Sequence, residues 1–204
     1  MIAQISVFLL GYVIGSFPTA YLLVLWKARL DIRGAGSGNV GAMNTFDVTR
    51  SKLLGISVLL IDLLKGSGAV WLGSRLFGHD LWIMEIAGLG SVVGHNYSLW
   101  LRFRGGRGLA TAAGVMLVLN WMLVALWCLL WIGFQAYARN VHLSNISASI
   151  LSPALTLPAL ASLRPEGDNT AVATTLLMSM ICLLILLRHL QYFTEFRKLF
   201  QKSH

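Results

Sequence analysis

Charged residues are scarce in this chain of 204 residues. Asp, Glu, Lys and Arg make up 12% of it, whereas a soluble domain carries about 25%. Hydrophobic residues make up 56%, and the mean hydropathy is +0.71. This composition excludes a soluble globular domain and predicts an integral membrane protein.

Cysteine is also rare, and Cys128 and Cys182 both lie in apolar segments. No CxxC motif occurs, and no histidine is spaced from either cysteine as a second ligand, so the sequence predicts neither a disulfide nor a metal site. The GxSxG motif is absent, and no Ser, His and acidic residue form a recognisable nucleophile motif. Covalent catalysis therefore has no support in the sequence, and we expect no cofactor.

The first apolar segment lacks the features of a removable signal peptide. It has no basic n-region and no small-residue cleavage site after a short apolar core, so we expect it to remain as the first span. Lys and Arg outnumber Asp and Glu by 16 to 8. In a membrane chain the position of basic residues indicates orientation, so their excess does not predict a nucleic-acid partner.

Long apolar segments dominate the rest of the chain. A transmembrane helix needs about 17 to 25 residues, predominantly apolar. Segments of that length lie at residues 3–26, 53–75, 80–101 and 170–188. The segment 109–138 is too long for one span and contains Asn120, and the short segment 146–162 contains Pro153 and Pro158. Dividing 109–138 into two short spans gives seven spans in all.

The distribution of basic residues supports seven spans. With seven, the Lys and Arg of loops and span ends fall almost entirely on one side, and only Arg75 and Arg164 fall on the other. By the positive-inside rule the basic side is cytoplasmic, with the N-terminus outside and the C-terminus inside. No repeat, low-complexity run or linker indicates a second domain. We therefore predict an all-α membrane protein with seven transmembrane helices, forming one polytopic domain over residues 1–204.

Two glycine-rich stretches fall on the predicted cytoplasmic side. They are Gly34 to Asn44 (GAGSGNVGAMN) and Phe103 to Gly114 (FRGGRGLATAAG), which carries Arg104 and Arg107. Each glycine in a helix interior costs roughly 1 kcal/mol against alanine, so both predict loops. The backbone N–H groups of such loops can converge on a phosphate or carboxylate. One loop alone could be a flexible connection, but two with arginines indicate an anion site.

Ionisable residues also occur within the apolar segments. Asp62 and Lys65 are three residues apart and share a helix face. Each costs at least roughly 2.5 kcal/mol inside a span, which leaves two interpretations: a structural ion pair, or a direct role of Lys65 at a substrate. His95 lies near the cytoplasmic end of the third span and is either a packing residue or a catalytic one. Glu85 is expected at the opposite membrane surface.

Five motifs in the first part of the chain together resemble one family. They are GSFPTAYL from Gly15 to Leu22, DIR, GSGNVGAMN, LIDLLKG from Leu60 to Gly66, and GHNYSLWLRFRGGRGLATAAG from Gly94 to Gly114. In order and spacing, over about residues 11–115, they resemble the bacterial membrane acyl-phosphate:glycerol-3-phosphate acyltransferases. The resemblance implies seven transmembrane helices and an active site facing the cytoplasm.

The resemblance implies a reaction and its partners. An acyl group passes from acyl phosphate to the 1-hydroxyl of glycerol 3-phosphate and gives lysophosphatidic acid, the first step of phospholipid synthesis. The expected location is the bacterial cytoplasmic (inner) membrane, as a multi-pass protein in the lipid bilayer. A further expected partner is the soluble enzyme that makes acyl phosphate from acyl-carrier-protein.

Site residues follow by matching motif positions. The expected catalytic residues are Lys65, His95 and Arg107. The expected substrate-binding residues are Ser37, Gly38, Asn39, Asn44, Arg50, Arg104, Gly105, Gly106 and His189. Arg50 stands in for the arginine that the family carries at the position of Asp47.

Two alternatives remain open. The chain departs from the family pattern at Asp47, His142, Tyr192 and Gln201. These departures favour either a divergent paralog with a changed acceptor, or a non-catalytic protein that binds or transports a lipid phosphate. Against transport, the spans lack the paired, interrupted halves typical of transporters.

Overall fold

The computed structural model describes residues 2–161 and 169–201, with side chains up to residue 190. Arg164 of the topology prediction lies outside the described residues, as do the side chains of Tyr192 and Gln201. The described chain is helical. Its α-helices are α1 (Ile2–Ser16), α2 (Thr19–Ala28), α3 (Ala42–Thr49), α4 (Lys52–Phe77), α5 (Leu81–Asn96), α6 (Leu109–Leu119), α7 (Trp121–Ala138), α8 (Val141–Ala161) and α9 (Thr170–Gln201).

The first apolar segment is not the single helix that we expected over 3–26. It breaks between α1 and α2, where Phe17 and Pro18 are outside both helices. Pro18 is the N-cap of α2, and a proline there has no N–H that would need a partner. Pro18 is itself a helix breaker, a signal that the expectation of one helix over 3–26 did not use.

The segment 109–138 divides at Asn120, as predicted. Asn120 has an extended backbone, with φ of −163°, between α6 and α7. The third segment is shorter than expected over 80–101, because α5 ends at Asn96 and a 3₁₀ turn follows over Leu99–Leu101. The short helix α3, which begins at the end of the first glycine-rich stretch, was not predicted.

Five helical segments of the described residues are long and apolar enough to cross a bilayer. They are Ile2–Ala28, Lys52–Phe77, Trp121–Ala138, Val141–Ala161 and Thr170–Leu190. Helices α5 and α6 have 16 and 11 residues and are shorter than this class.

The chain forms two compact units, one extending to Trp121 and the other beginning at Met122. In the first unit, α1 and α5 pack through glycines. A Cβ added at Gly11 or Gly15 would overlap backbone atoms of α5, and one at Gly90 or Gly94 would overlap backbone atoms of α1. Both helices thus present a GxxxG motif to the other, which lets two backbones approach closely in a membrane.

The second unit buries polar side chains along α8. Ser144, Asn145, Ser149, Ser152 and Thr156 are all buried. From α7, the indole N–H of Trp127 donates to Ser149 Oγ over 3.2 Å, and that of Trp131 donates to Asn145 Oδ1 over 2.7 Å. These bonds tie α7 to α8 without a charge in the helix interior.

Candidate active site

Motifs from separate parts of the chain meet at one pocket in the first unit. It is small, with a cavity volume of about 10 Å³, close to the space that one water molecule needs. Its lining includes the α1–α2 break, two charged residues of α4, His95 near the end of α5, and the loop before α6. The lining residues are Ser16, Phe17, Pro18, Thr19, Ala20, Val40, Asp62, Lys65, His95, Ser98, Leu101, Gly105 and Gly106.

Asp62 and Lys65 form a buried ion pair on α4. Their closest atoms, Lys65 Nζ and Asp62 Oδ1, are 2.9 Å apart, and the two residues are 8% or less exposed. Lys65 Nζ also donates to the carbonyls of Gly15 and Phe17, over 3.3 and 2.8 Å. All three N–H bonds of the ammonium therefore have an acceptor nearby. This geometry favours the structural interpretation, and a direct contact between Lys65 and substrate stays a prediction.

His95 lies beside this pair. Its Nδ1 is 3.4 Å from Lys65 Nζ and 3.9 Å from Asp62 Oδ1, and the residue is 7% exposed. A Cβ added at Gly106 would overlap His95 Nε2, so the glycine backbone lies directly against the ring. The imidazole is thus held between α4 and the second glycine-rich loop, which fixes its orientation at the pocket.

Gly105 and Gly106 line the pocket, but their amides act within the protein. The N–H of Gly105 donates to Asn96 O over 3.2 Å, and that of Gly106 donates to His95 O over 3.0 Å. A Cβ at Gly105 would overlap His95 O. Glycine is needed here for close approach of two backbones, and substrate binding through these residues stays a prediction.

Asn44 organises the first glycine-rich loop from inside. It is 1% exposed, and its Oδ1 accepts the N–H of Ser37 over 2.9 Å. Its Nδ2 donates to the carbonyls of Ile32, Ala35 and Asn39 over 3.3, 3.1 and 2.9 Å. The Asn44 side chain is therefore used by the loop itself.

The amides expected to bind phosphate point elsewhere. Besides the Ser37 N–H, the N–H of Gly38 donates to Ala35 O over 3.0 Å. This differs from the expected array of free backbone donors, because the loop closes on Asn44. The Ser37 hydroxyl and the Asn39 side chain, both half-buried, stay as predicted substrate contacts.

The DIR motif forms a local ion pair before this loop. Asp31 accepts the N–H of Arg33 over 2.9 Å, and the Arg33 guanidinium donates to its carboxylate over 2.7 Å. The hydrogen-bonded Arg33 side chain holds the pKa of Asp31 below its usual value. Because Arg33 is neutralised locally, it contributes little to an anion site.

The remaining arginines of the predicted site differ in exposure, and Arg107 Nη2 is buried. Arg50 ends α3 with φ of 55° and is exposed. Arg104 is exposed and Arg107 is half-buried, on either side of the glycine pair that lines the pocket. Their guanidinium groups are suited to bidentate contacts with phosphate.

His189 belongs to the second unit. It is 1% exposed, and its Nδ1 is 2.8 Å from Ile185 O. Because a carbonyl only accepts, Nδ1 is the donor in this hydrogen bond. The His142 ring lies edge-on at 6.3 Å between centroids. Substrate binding by His189 stays a prediction.

Three polar residues of the pocket were not predicted: Ser16, Thr19 and Ser98. Their signal was available in the motifs GSFPTAYL and GHNYSLW, but single hydroxyls in apolar segments are also common packing residues. Glu85 is 3% exposed near the start of α5, and its expected position at a membrane surface stays a prediction.

Comparison with known proteins gives consistent matches. The family model for glycerol-3-phosphate acyltransferase matches residues 5–199. Glycerol-3-phosphate acyltransferase 2 of Moorella thermoacetica is 43% identical over 148 residues, 72% of this chain and 74% of that protein. The glycerol-3-phosphate acyltransferase of Rhodopseudomonas palustris is 39% identical over 163 residues, 78% of this chain and 81% of that protein.

Solved structures agree in fold over nearly the whole chain. The crystal structure of PlsY (YgiH), an integral membrane glycerol 3-phosphate acyltransferase, in its glycerol 3-phosphate form has a TM-score of 0.78 and 30% identity. The match covers 96% of this chain and 92% of that one. Its lysophosphatidic acid form has a TM-score of 0.75 and 29% identity, with the same coverage. The chain belongs to the glycerol-3-phosphate acyltransferase family.

Proposed function

We propose that this protein transfers a fatty acyl group from acyl phosphate to the 1-hydroxyl of glycerol 3-phosphate and forms lysophosphatidic acid. The named activity of the curated relatives and the glycerol 3-phosphate and lysophosphatidic acid forms of PlsY support the acceptor and the product. The choice of acyl phosphate as donor rests on the resemblance of the motifs.

One observation supports the location of the reaction. The motifs GSFPTAYL, LIDLLKG and GHNYS, together with the loop RGGRG, lie far apart in the sequence and line a single pocket. That pocket contains a buried ion pair and a histidine, groups that cost free energy inside a membrane protein and mark functional sites. The arrangement is that of an active site built on rigid helices.

The chemistry requires no protein nucleophile. The acceptor hydroxyl oxygen attacks the carbonyl carbon of the acyl phosphate, the bond from that carbon to the phosphate oxygen breaks, and phosphate leaves with the electron pair. Because the donor is already activated, the protein has to hold both substrates and neutralise their phosphates. The hydroxyl proton passes to a substrate phosphate or to a histidine, His95 or His189.

The residues divide into two groups. Arg104, Arg107 and Arg50 neutralise phosphate, while Ser37 and Asn39 supply hydrogen bonds. Lys65, Asn44 and the glycines Gly38, Gly105 and Gly106 hold the backbone and His95 in position. The geometry gives less support to direct contact between this second group and the substrates.

In the cell, the protein crosses the bacterial inner membrane seven times as one polytopic domain, with its C-terminus in the cytoplasm. Both glycine-rich loops then face the compartment that contains glycerol 3-phosphate. A soluble enzyme that converts acyl-carrier-protein thioesters to acyl phosphate supplies the donor. The distribution of basic residues supports this orientation.

A changed acceptor is the second candidate function. Asp47, where the family carries arginine, is exposed on α3. A carboxylate there repels an acceptor phosphate and favours a neutral polyol. Turnover with glycerol and glycerol 3-phosphate, measured side by side, distinguishes the two.

The Arg107 series tests the proposal. Leaving a substrate phosphate without its charged partner in a partly desolvated site typically costs about 2 to 5 kcal/mol. Arg107→Ala should therefore slow lysophosphatidic acid formation roughly 30-fold or more. Arg107→Lys keeps the charge but loses the planar fork and should retain a sizeable part of the rate. If wild type forms product and both variants match it, Arg107 is only a cytoplasmic anchor.

A further inference from the structure

The break between α1 and α2 brings backbone groups of two helix ends to the pocket. A helix leaves its last carbonyls and its first amides without partners inside the helix. Here Ser16 ends one helix and Thr19 begins the next, two residues later. The carbonyls and the amides at this break differ in their hydrogen-bond partners.

The carbonyls are bound by side chains. Lys65 Nζ donates to Gly15 O and Phe17 O. Ser98 Oγ donates to Ser16 O over 2.6 Å. Since Lys65 and Ser98 both line the pocket, the end of α1 is fixed from the pocket side.

The amides of α2 are bound less completely. The N–H of Thr19 donates to Phe17 O and that of Leu22 to Pro18 O, both over 3.0 Å. Within residues 2–161 and 169–190, no acceptor is found for the N–H of Ala20 or Tyr21, and Pro18 provides no side-chain cap. The N-terminus of this helix of 10 residues therefore keeps its partial positive charge.

The Thr19 side chain gives an independent indication. Thr19 is 2% exposed, and its Oγ1 is buried without a hydrogen-bond partner among the described residues. Thr19 and Ala20 both line the pocket. Buried hydroxyls are nearly always hydrogen-bonded in folded proteins, so a buried hydroxyl that lacks a partner beside a pocket indicates a ligand atom.

We propose that Thr19 Oγ1 and the first amides of α2 bind a terminal oxygen of a phosphoryl group. This inference rests on the proposed function, in which acyl phosphate and glycerol 3-phosphate both carry that group. The positive charge of Lys65 is balanced by the Asp62 carboxylate, 2.9 Å away. The N-terminus of α2 is therefore the source of positive potential on this side of the pocket. The flanking arginines of the glycine pair, Arg104 and Arg107, supply the remaining charge.

The experiment compares hydroxyl variants with a matched control. Thr19→Val removes the hydroxyl at nearly constant shape, Thr19→Ala removes it with a smaller side chain, and Thr19→Ser retains it. Thr111→Val is the control, because Thr111 Oγ1 is also buried without a partner in the described chain but does not line the pocket. The readouts are KM for each substrate, inhibition by inorganic phosphate, and unfolding temperature.

Loss of one charge-assisted hydrogen bond predicts a rise in KM of about tenfold. We expect this in Thr19→Val and Thr19→Ala, with Thr19→Ser and Thr111→Val near wild type. If the KM for acyl phosphate and the inhibition constant of phosphate rise together, the oxygen belongs to the donor. If only the KM for glycerol 3-phosphate rises, it belongs to the acceptor.

Unchanged kinetics in Thr19→Val, or equal changes in Thr19→Val and Thr111→Val, would overturn the site. Stabilisation of the purified protein by inorganic phosphate gives a readout that does not need turnover. An inactive wild type whose stabilisation by phosphate is lost in Thr19→Val contradicts the proposed reaction but supports this site. If the wild type is active and phosphate stabilises Thr19→Val as well as it stabilises wild type, the proposed reaction is supported and this site is contradicted.

Discussion

Four arginines of the described residues, Arg29, Arg50, Arg102 and Arg139, have a backbone conformation that favours glycine. Arg29 and Arg50 end α2 and α3 with φ of 53° and 55°. This left-handed conformation costs an L-residue about 1–2 kcal/mol. Strain of this kind at a charged residue suggests that the side chain is kept for its charge. We infer a role in membrane orientation for Arg29 and a phosphate contact for Arg50.

Substitution by glycine separates these roles. Arg50→Gly and Arg29→Gly should each leave the unfolding temperature equal or higher, because glycine adopts this conformation without strain. Arg50→Gly should also lower the rate of lysophosphatidic acid formation about tenfold, the value of one charge-assisted hydrogen bond. Arg29→Gly should keep the rate. Equal rates in both variants would remove Arg50 from the site.

Among individual residues of the site, the contact between near neighbours on one helix was predictable. The spacing of Asp62 and Lys65 indicated an ion pair, since residues three apart on a helix are neighbours. The contacts of Lys65 with Gly15 O and Phe17 O depend on a helix break and on packing of α4 against it, which no local pattern encodes. The inward closure of the first loop on Asn44 is local, but it was not predicted, because the glycines had indicated backbone amides that face a ligand.

Among the helices, α4 fixes the α1–α2 break through one side chain. Lys65→Met would leave Asp62 buried and unpaired and would remove the donor to Phe17 O. Breaking a buried pair in this way typically costs about 3–5 kcal/mol. Thermal unfolding in detergent should therefore show strong destabilisation. The double variant Lys65→Met with Asp62→Leu should recover part of the loss.

Lys52→Met is the control for this series, since Lys52 is exposed at the start of the same helix. An exposed substitution should change stability by no more than about 0.5 kcal/mol. If Lys65→Met behaves like Lys52→Met, the ion pair does not hold the break.

Helices were predictable over long apolar segments. The short breaks between helices were harder to predict. Asn120 indicated the division between α6 and α7, because it is polar within an apolar stretch. The break at Phe17 and Pro18 also had a signal, because proline kinks or ends a helix, but the length and apolar character of 3–26 favoured a single span. Helix α3 has eight residues, several of them weak helix formers, and tertiary contacts stabilise it more than propensity does.

For the whole molecule, the seven-span orientation makes a direct prediction. A reporter fused to the C-terminus should be cytoplasmic. Cysteines introduced near Arg164 should react with an impermeant thiol reagent from outside intact cells, and those near Arg139 should not. Equal labelling at both positions would contradict the seven-span orientation. Helices α5 and α6, with 16 and 11 residues, are shorter than a usual span of about 17 to 25, and the division that makes α6 a span rests on the charge distribution.

Donor choice is the central claim for the whole protein. The purified protein is given labelled glycerol 3-phosphate with a long-chain acyl phosphate, acyl-CoA or acyl-carrier-protein in parallel, and lysophosphatidic acid is quantified. The account predicts rapid product formation from acyl phosphate, with one phosphate released per product, and no direct use of either thioester. No product from acyl phosphate, or faster product formation from a thioester, would contradict it.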